Sequence, residues 1–293
     1  MAVPPVAAPK RKSLLRRSLK GFLALLCVLY IVVCVFFYSQ QDHLAFPAPT
    51  TYAQRSPADL GLPFEDLHIP VNASEQIHAW WIPASLPSDQ VLLYFHGNGY
   101  VLEQAVNGDV GALHSLGANL LMVDYRGYGS SSPGTASEKR VFQDARAAFR
   151  YLISQRKVPT HDIISVGRSI GTGPATEIAK EHPEAGGLIL ISPFTSTTDI
   201  AKTMWYLAPL PLRLISHNKL DNLAKIDAVH VPLFITVGSE DRLTPAAMAQ
   251  ALLEKANQPK RLYLSPGADH DGIFKIGEQD LEAQMSAFLQ TLH

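Results

Sequence analysis

With 293 residues and 32.0 kDa, the chain can bury one large α/β core or two small ones, which excludes a disulfide-dependent or intrinsically disordered peptide. Its formal net charge of −1 conceals an asymmetry, because Lys10, Arg11, Lys12, Arg16, Arg17 and Lys20 put six positive charges into the first 20 residues and leave the remainder at −7. A mildly acidic body does not suit a phosphate backbone, and no nucleic-acid partner is expected.

Residues 1–9 read as an unstructured tip within a basic tail, residues 1–20. The tail leads into GFLALLCVLYIVVCVFFY (residues 21–38), eighteen residues with neither charge nor proline. As a helix rising ~1.5 Å per residue this run reaches roughly 27 Å, near the thickness of a bilayer core. It predicts a retained transmembrane anchor in preference to a cleaved secretory signal, whose apolar run is usually ~7–15 residues and ends in a small-residue cleavage site. Positive charges before the span, against Gln40, Gln41, Asp42 and His43 after it, predict a cytoplasmic N-terminus. The body is then expected on the periplasmic, extracellular or lumenal side. Cys27 and Cys34 both lie inside the run, seven residues apart on one helical face, and cannot staple the body. Residues 39–61, with Pro47, Pro49 and Pro57, read as a tether.

The body, residues 62–293, changes pattern. DLHIPV and IHAWWIP read as a strand pair. Short runs rich in branched or aromatic residues follow: VLLYFHG (91–97), LLMVDYRG (120–127), IISVGRS (163–169), GLILISPF (187–194), LFITVGSED (233–241) and RLYLSPGADH (261–270). Helical patterns lie between or after them at 137–154, 172–181, 245–255 and 277–292. Continuous apolar strands alternating with helices predict an α/β domain with a mostly parallel central sheet covered on both faces. The longest interruption predicts a small cap insertion, residues 195–230. There Trp205, Tyr206, Leu207, Leu210 and Leu212 either line an acyl pocket, lean on the membrane, or pack on the sheet.

One stretch carries chemistry. SVGRSIGTG (165–173) sets Ser169 in a G-x-S-x-G pattern that chance alone would place in roughly one such chain in ten. Its context is more specific: an apolar strand before, an apolar helical segment after, which together push a serine to the carboxyl edge of a parallel sheet. A serine hydroxyl attacks only when an imidazole removes its proton, and that imidazole needs a carboxylate to fix its tautomer. Asp241 and His270 follow in that order at the ends of the next strands, with Glu240 and Asp199 as competing carboxylates. The developing oxyanion needs backbone donors; Ile170 supplies one, and the turn His96-Gly97-Asn98-Gly99 a second, assigned to the Asn98 N–H with Gly99 as its alternative. No C-x-x-C, H-E-x-x-H or G-x-x-x-x-G-K pattern occurs, so neither metal nor nucleotide cofactor is expected.

Taken together, HGNG, DYRGYGSS, GRSIG, GSEDRLTP and GADHDG resemble the α/β-hydrolase superfamily, and within it the small N-terminally membrane-anchored alpha/beta-hydrolase-domain serine hydrolases. The resemblance runs from about Glu65 to the C-terminus and includes the position of the anchor. It implies Ser169 as nucleophile, Asp241 as acid, His270 as base, Asn98 and Ile170 as oxyanion donors, and His96 as a structural residue ordering the oxyanion turn. The expected substrate is an acyl ester or thioester of lipid or protein type. Peptide or amide cleavage on the same residues, and a non-catalytic binding protein using the fold, are the alternatives. Oligomeric state is left open.

Overall fold

The computed structural model describes residues 11–106, 108–203, 207 and 209–292; the expected tip (1–9) and the cap residues Trp205 and Tyr206 lie outside them. The chain divides into two compact units, Met1–Gln41 and Asp42–His293. The first is formed by α1 (Arg11–Ala45), a helix that carries the apolar run and continues beyond it on both sides. It is the one helix among the described residues long and apolar enough to cross a membrane. Phe22, Val28, Ile31 and Phe36 are exposed on it. The tether expected at 39–61 therefore begins as helix. Between Ser39 and Ala45 nothing breaks a helix, and the stop comes at Phe46, where the following Pro47 disfavours helical geometry.

The second unit is built on an eight-stranded sheet: β1 (Glu65–Pro70), β2 (Gln76–Ile82), β3 (Val91–Phe95), β4 (Asn119–Val123), β5 (Ile163–Arg168), β6 (Gly187–Ile191), β7 (Leu233–Gly238) and β8 (Lys260–Ser265). The strand order is β1-β2-β4-β3-β5-β6-β7-β8. Only the β1–β2 and β2–β4 pairs are antiparallel. Every expected strand is present. Side chains alternate across the sheet with the period of two that a pleat imposes: Val91, Leu93 and Phe95 enter one core, Leu92 and Tyr94 the other. The first core is closed by α4 (Glu138–Ser154), α5 (Thr172–Glu181) and α8 (Ala246–Lys255), the second by α3 (Asp109–His114) and α9 (Glu278–Leu289). The expected helices agree with α4, α5, α8 and α9 to within three residues.

Among the described residues, four short helices were not legible in the pattern: α2 (Leu102–Ala105), α3, and, inside the expected cap insertion, α6 (Thr197–Thr203) and α7 (Leu212–Ile215). Each spans two turns or fewer, too short for an apolar periodicity to repeat. In the cap Leu212 is buried and Leu214 exposed.

Strand order fixes where a site can form. The chain leaves β3 toward β4 on one side and later returns with β5 on the other, so a crevice opens between the carboxyl ends of β3 and β5. There Phe95 is paired with Gly167, which sets the HGNG turn beside the GRS turn.

Candidate active site

At the end of β5 the backbone turns sharply, and Ser169 takes a φ of +50°, a region that costs energy for any residue but glycine. Two glycines permit the turn for different reasons. A Cβ on Gly167 would meet Gly171 and stand 2.6 Å from Thr172 Cα, the other arm of the same turn. A Cβ on Gly171 would instead strike the Phe95 carbonyl, with the His96 carbonyl at 2.8 Å, so the neighbouring strand demands this glycine.

The structure brings Ser169, His270 and Asp241 together. Ser169 Oγ lies 3.0 Å from His270 Nε2, and His270 Nδ1 lies 2.8 Å from Asp241 Oδ2. A carboxylate only accepts, so Nδ1 carries the proton and Nε2 is left to accept from the serine hydroxyl. Asp241 Oδ2 also accepts from Thr244 Oγ1 (2.8 Å), and Oδ1 from the N–H groups of Leu243 (3.0 Å) and Thr244 (2.8 Å). Burial alone would raise the Asp241 carboxyl, but the hydrogen bonds from His270 and the Thr244 N–H outweigh it and hold the group below the usual carboxylate value. The side chain of Asp241 is sealed from solvent, whereas that of His270 stays 17% exposed. The competing carboxylates are engaged elsewhere or turned outward. Asp199 accepts from Thr195 Oγ1 (2.9 Å) and Ser196 Oγ (2.8 Å) and pairs with Lys202 (2.7 Å), while Glu240 is exposed.

The expected oxyanion turn closes the other side. Gly97 sits against Ser169, its missing Cβ 3.6 Å from the serine Cβ, and Gly99 has a φ of +64°. Neither the Asn98 N–H nor the Ile170 N–H donates to an acceptor among the described residues. Asn98 holds the turn through its side chain: Oδ1 accepts from the Gly99 N–H and from Tyr128 OH, both at 3.0 Å, and Nδ2 donates to the Ala45 carbonyl at 2.9 Å. His96 is fully buried, donates through Nδ1 to the Gly97 carbonyl (2.7 Å), and faces Asp124 with Nε2 at 3.3 Å. Asp124 also meets His78 Nδ1 (3.2 Å) and accepts from the Leu102 N–H (3.1 Å). Burial opposes its charge, yet the hydrogen bond to His78 and the approach of His96 outweigh it and hold its carboxyl below the usual carboxylate value.

Two residues that sequence reasoning passed over, Arg168 and Thr244, support His270 and Asp241. Arg168, the variable position of G-x-S, is buried and pairs with Asp109 at 2.7 Å, while Nη2 reaches toward the His270 carbonyl at 3.5 Å. Tyr94 OH hydrogen-bonds the second Asp109 oxygen. Burial works against the guanidinium charge, but Asp109 overrides it and Arg168 is held firmly cationic. The available signal was a charged residue at the end of a strand buried on both faces, which demands a buried partner. Thr244 was signalled by its place three residues after Asp241, where its main chain and hydroxyl can bond back to an aspartate.

Beside His270 a depression of about 430 Å³ opens to solvent, lined by Glu240, Arg242, Leu243, Asp269 and Asp271. Among the described residues no group of three or more His, Cys, Asp or Glu side chains is placed to hold a metal ion.

Residues 87–228 match the family described as serine aminopeptidase, S33. Alpha/beta hydrolase domain-containing protein 17B of Xenopus tropicalis is 30% identical over 203 residues, covering 69% of this chain and 68% of that protein. The chain belongs to the α/β-hydrolase superfamily. An uncharacterized protein of Mycobacterium tuberculosis is 31% identical over 241 residues, 82% of this α/β-hydrolase and 83% of the relative. Among solved structures, an esterase of Pyrococcus furiosus superposes with a TM-score of 0.70 at 21% identity, covering 83% of this chain and 97% of the esterase. At that identity the likeness speaks for the fold. With the family match, these relatives support a serine hydrolase.

Proposed function

We propose that this α/β-hydrolase is a membrane-anchored serine esterase or thioesterase working through an acyl-enzyme on Ser169. The unbroken chain Ser169 Oγ, His270 Nε2, His270 Nδ1, Asp241 Oδ2 carries the reading. Ser169 Oγ attacks the carbonyl carbon as its proton passes to His270 Nε2. Asp241 fixes the tautomer before this step and stabilises the imidazolium after it. The oxyanion is received by the uncommitted N–H groups of Asn98 and Ile170, each such donor being worth about 2.7–4 kcal/mol. His270 then protonates the leaving alcohol or thiol, the carbonyl–leaving-group bond breaks, and the acyl group stays on Ser169. Water, deprotonated by the same histidine, releases the acid and restores the hydroxyl.

The leaving group departs on the His270 side, where the depression is lined by Glu240, Arg242, Asp269 and Asp271, a polar surround suited to the head of an acyl-lipid or the body of an acyl-protein. An anchor in α1 would hold such a site beside its substrates, with the basic tail in the cytoplasm and the domain across the membrane. Because the matching family is described as a serine aminopeptidase, amide cleavage by the same residues is the second reading.

Turnover of matched acyl esters, thioesters and peptide amides of varied chain length, by the full chain and by Ser169→Ala, tests both readings. Esters or thioesters with long acyl chains should be cleaved with the highest kcat/KM, and Ser169→Ala should abolish every activity. Preference for the amides would overturn the ester assignment.

A further inference from the structure

Residues 42–52, which composition reads as part of a loose tether, are fastened at both ends and in the middle. Asp42 Oδ1 accepts from His217 Nε2 (2.8 Å) and Asn218 Nδ2 (2.5 Å), in the loop that follows α7 of the cap. Asn218 in turn caps α4, its Oδ1 accepting from the Glu138 N–H at 2.8 Å. The Ala45 carbonyl receives Asn98 Nδ2. Phe46 is only 3% exposed and shares the core that holds Phe95, Val101, Tyr125 and Tyr128, with Ala48 and Tyr52 packed against it. The Pro47 carbonyl lies 3.9 Å from the point where a Cβ of Gly99 would stand.

We propose that this segment is a strap that positions the oxyanion turn, so that the membrane-proximal end of the chain sets the turnover of the site as well as its location. The proposal rests on the reading of Asn98 as an oxyanion donor. Gly97 and Gly99 flank Asn98 and leave the turn little stiffness of its own, since glycine restrains the backbone least. Stiffness comes from the Asn98 side chain, whose three hydrogen bonds run to the Gly99 N–H, to Tyr128 and to the strap. A backbone donor works only when aimed at the position of the oxyanion, and misplacement by about 1 Å is enough to cost ~100-fold in rate. Asp42 ties the same strap to the loop after α7, so that loop and the oxyanion turn share one brace. Three residues, Ser39 to Gln41, separate that brace from the last residue of the apolar run.

The test uses the full chain in detergent micelles with a water-soluble short-chain p-nitrophenyl ester, for which access from a bilayer plays no part. Phe46→Ala and Asn98→Ala should each lower kcat by about tenfold or more with KM changed less than about twofold. The double variant should be no worse than the weaker single, because both remove the same brace. Phe46→Leu, which refills the pocket, should restore kcat. Asp42→Ala lies at a half-exposed position and leaves the core intact; it should also lower kcat, and without multiplying the Asn98→Ala loss. Losses that multiply in the doubles, or an unchanged kcat in Phe46→Ala and Asp42→Ala, would overturn the strap while leaving the esterase reading in place. A wild-type chain with no Ser169-dependent turnover would overturn both.

Discussion

Removing Asp109 should loosen the His270 loop from behind. In Asp109→Ala the Arg168 guanidinium, 10% exposed, loses the carboxylate 2.7 Å away, whose own side chain is 2% exposed, and Tyr94 loses its acceptor. Stranding one member of a buried ion pair costs about 3–5 kcal/mol. For a domain of this size each kcal/mol lowers Tm by roughly 2–4 °C, so a fall of about 6–20 °C is expected. Thermal unfolding followed by tryptophan fluorescence reads this directly. Arg168 Nη2 faces the carbonyl of His270, so kcat at a temperature where the variant is fully folded should drop as well. Arg168→Leu combined with Asp109→Leu removes both charges and should recover much of the stability but not the kcat. A stability loss below about 1 kcal/mol in Asp109→Ala would refute the assignment of this pair as a buried brace.

Asp241→Asn should reduce kcat by about 10⁴ at neutral pH through loss of the Nδ1–H tautomer, while Asp199→Asn, whose partners are Thr195, Ser196 and Lys202, should stay within a few-fold of wild type; steady-state kinetics on one soluble ester separates them. Gly171→Ala forces a Cβ into the main chain of Phe95 and should leave the protein largely unfolded or inactive, as judged by soluble yield and circular dichroism, whereas alanine at Gly111, where a Cβ meets nothing within 4 Å, should be tolerated. The Glu75 carboxyl, held by Asn72 and then by Arg126 and Arg140, is lowered from 4.5 to about 2. A depressed folded-state value gives stability that is present above pH 4.5 and lost as pH falls through 2, so Glu75→Gln should flatten that acid limb in chemical unfolding measured from pH 6 to pH 2. An unaltered limb would mean that other carboxylates carry it.

The sheet could be read from the chain because its strands are short apolar runs bounded by turn residues, and VLLYF, IISVGR and LFITVG announce strands buried on both faces. Ser169, Asp241 and His270 were legible because each lies just past a strand end, where strand order alone predicts that they share one edge. What escaped depends on contacts between distant residues. Arg168 and Asp109 are 59 positions apart, and nothing local marks Asp109 as the partner. Residues 42–52 carry the prolines of a linker, and only Phe46 hints that the segment must be buried somewhere. The hydroxyl of Thr244 and the bracing hydrogen bonds of Asn98 likewise follow from three-dimensional approach, to which spacing is blind.

Ser169 is proposed as the nucleophile and His270 as its activating base. Peptide mass spectrometry after treatment with a fluorophosphonate tests this assignment most directly. The adduct is predicted on the peptide containing Ser169 in the wild-type chain, absent in Ser169→Ala, and formed orders of magnitude more slowly in His270→Ala. An adduct on another serine, or labelling that persists unchanged in Ser169→Ala, would contradict the account.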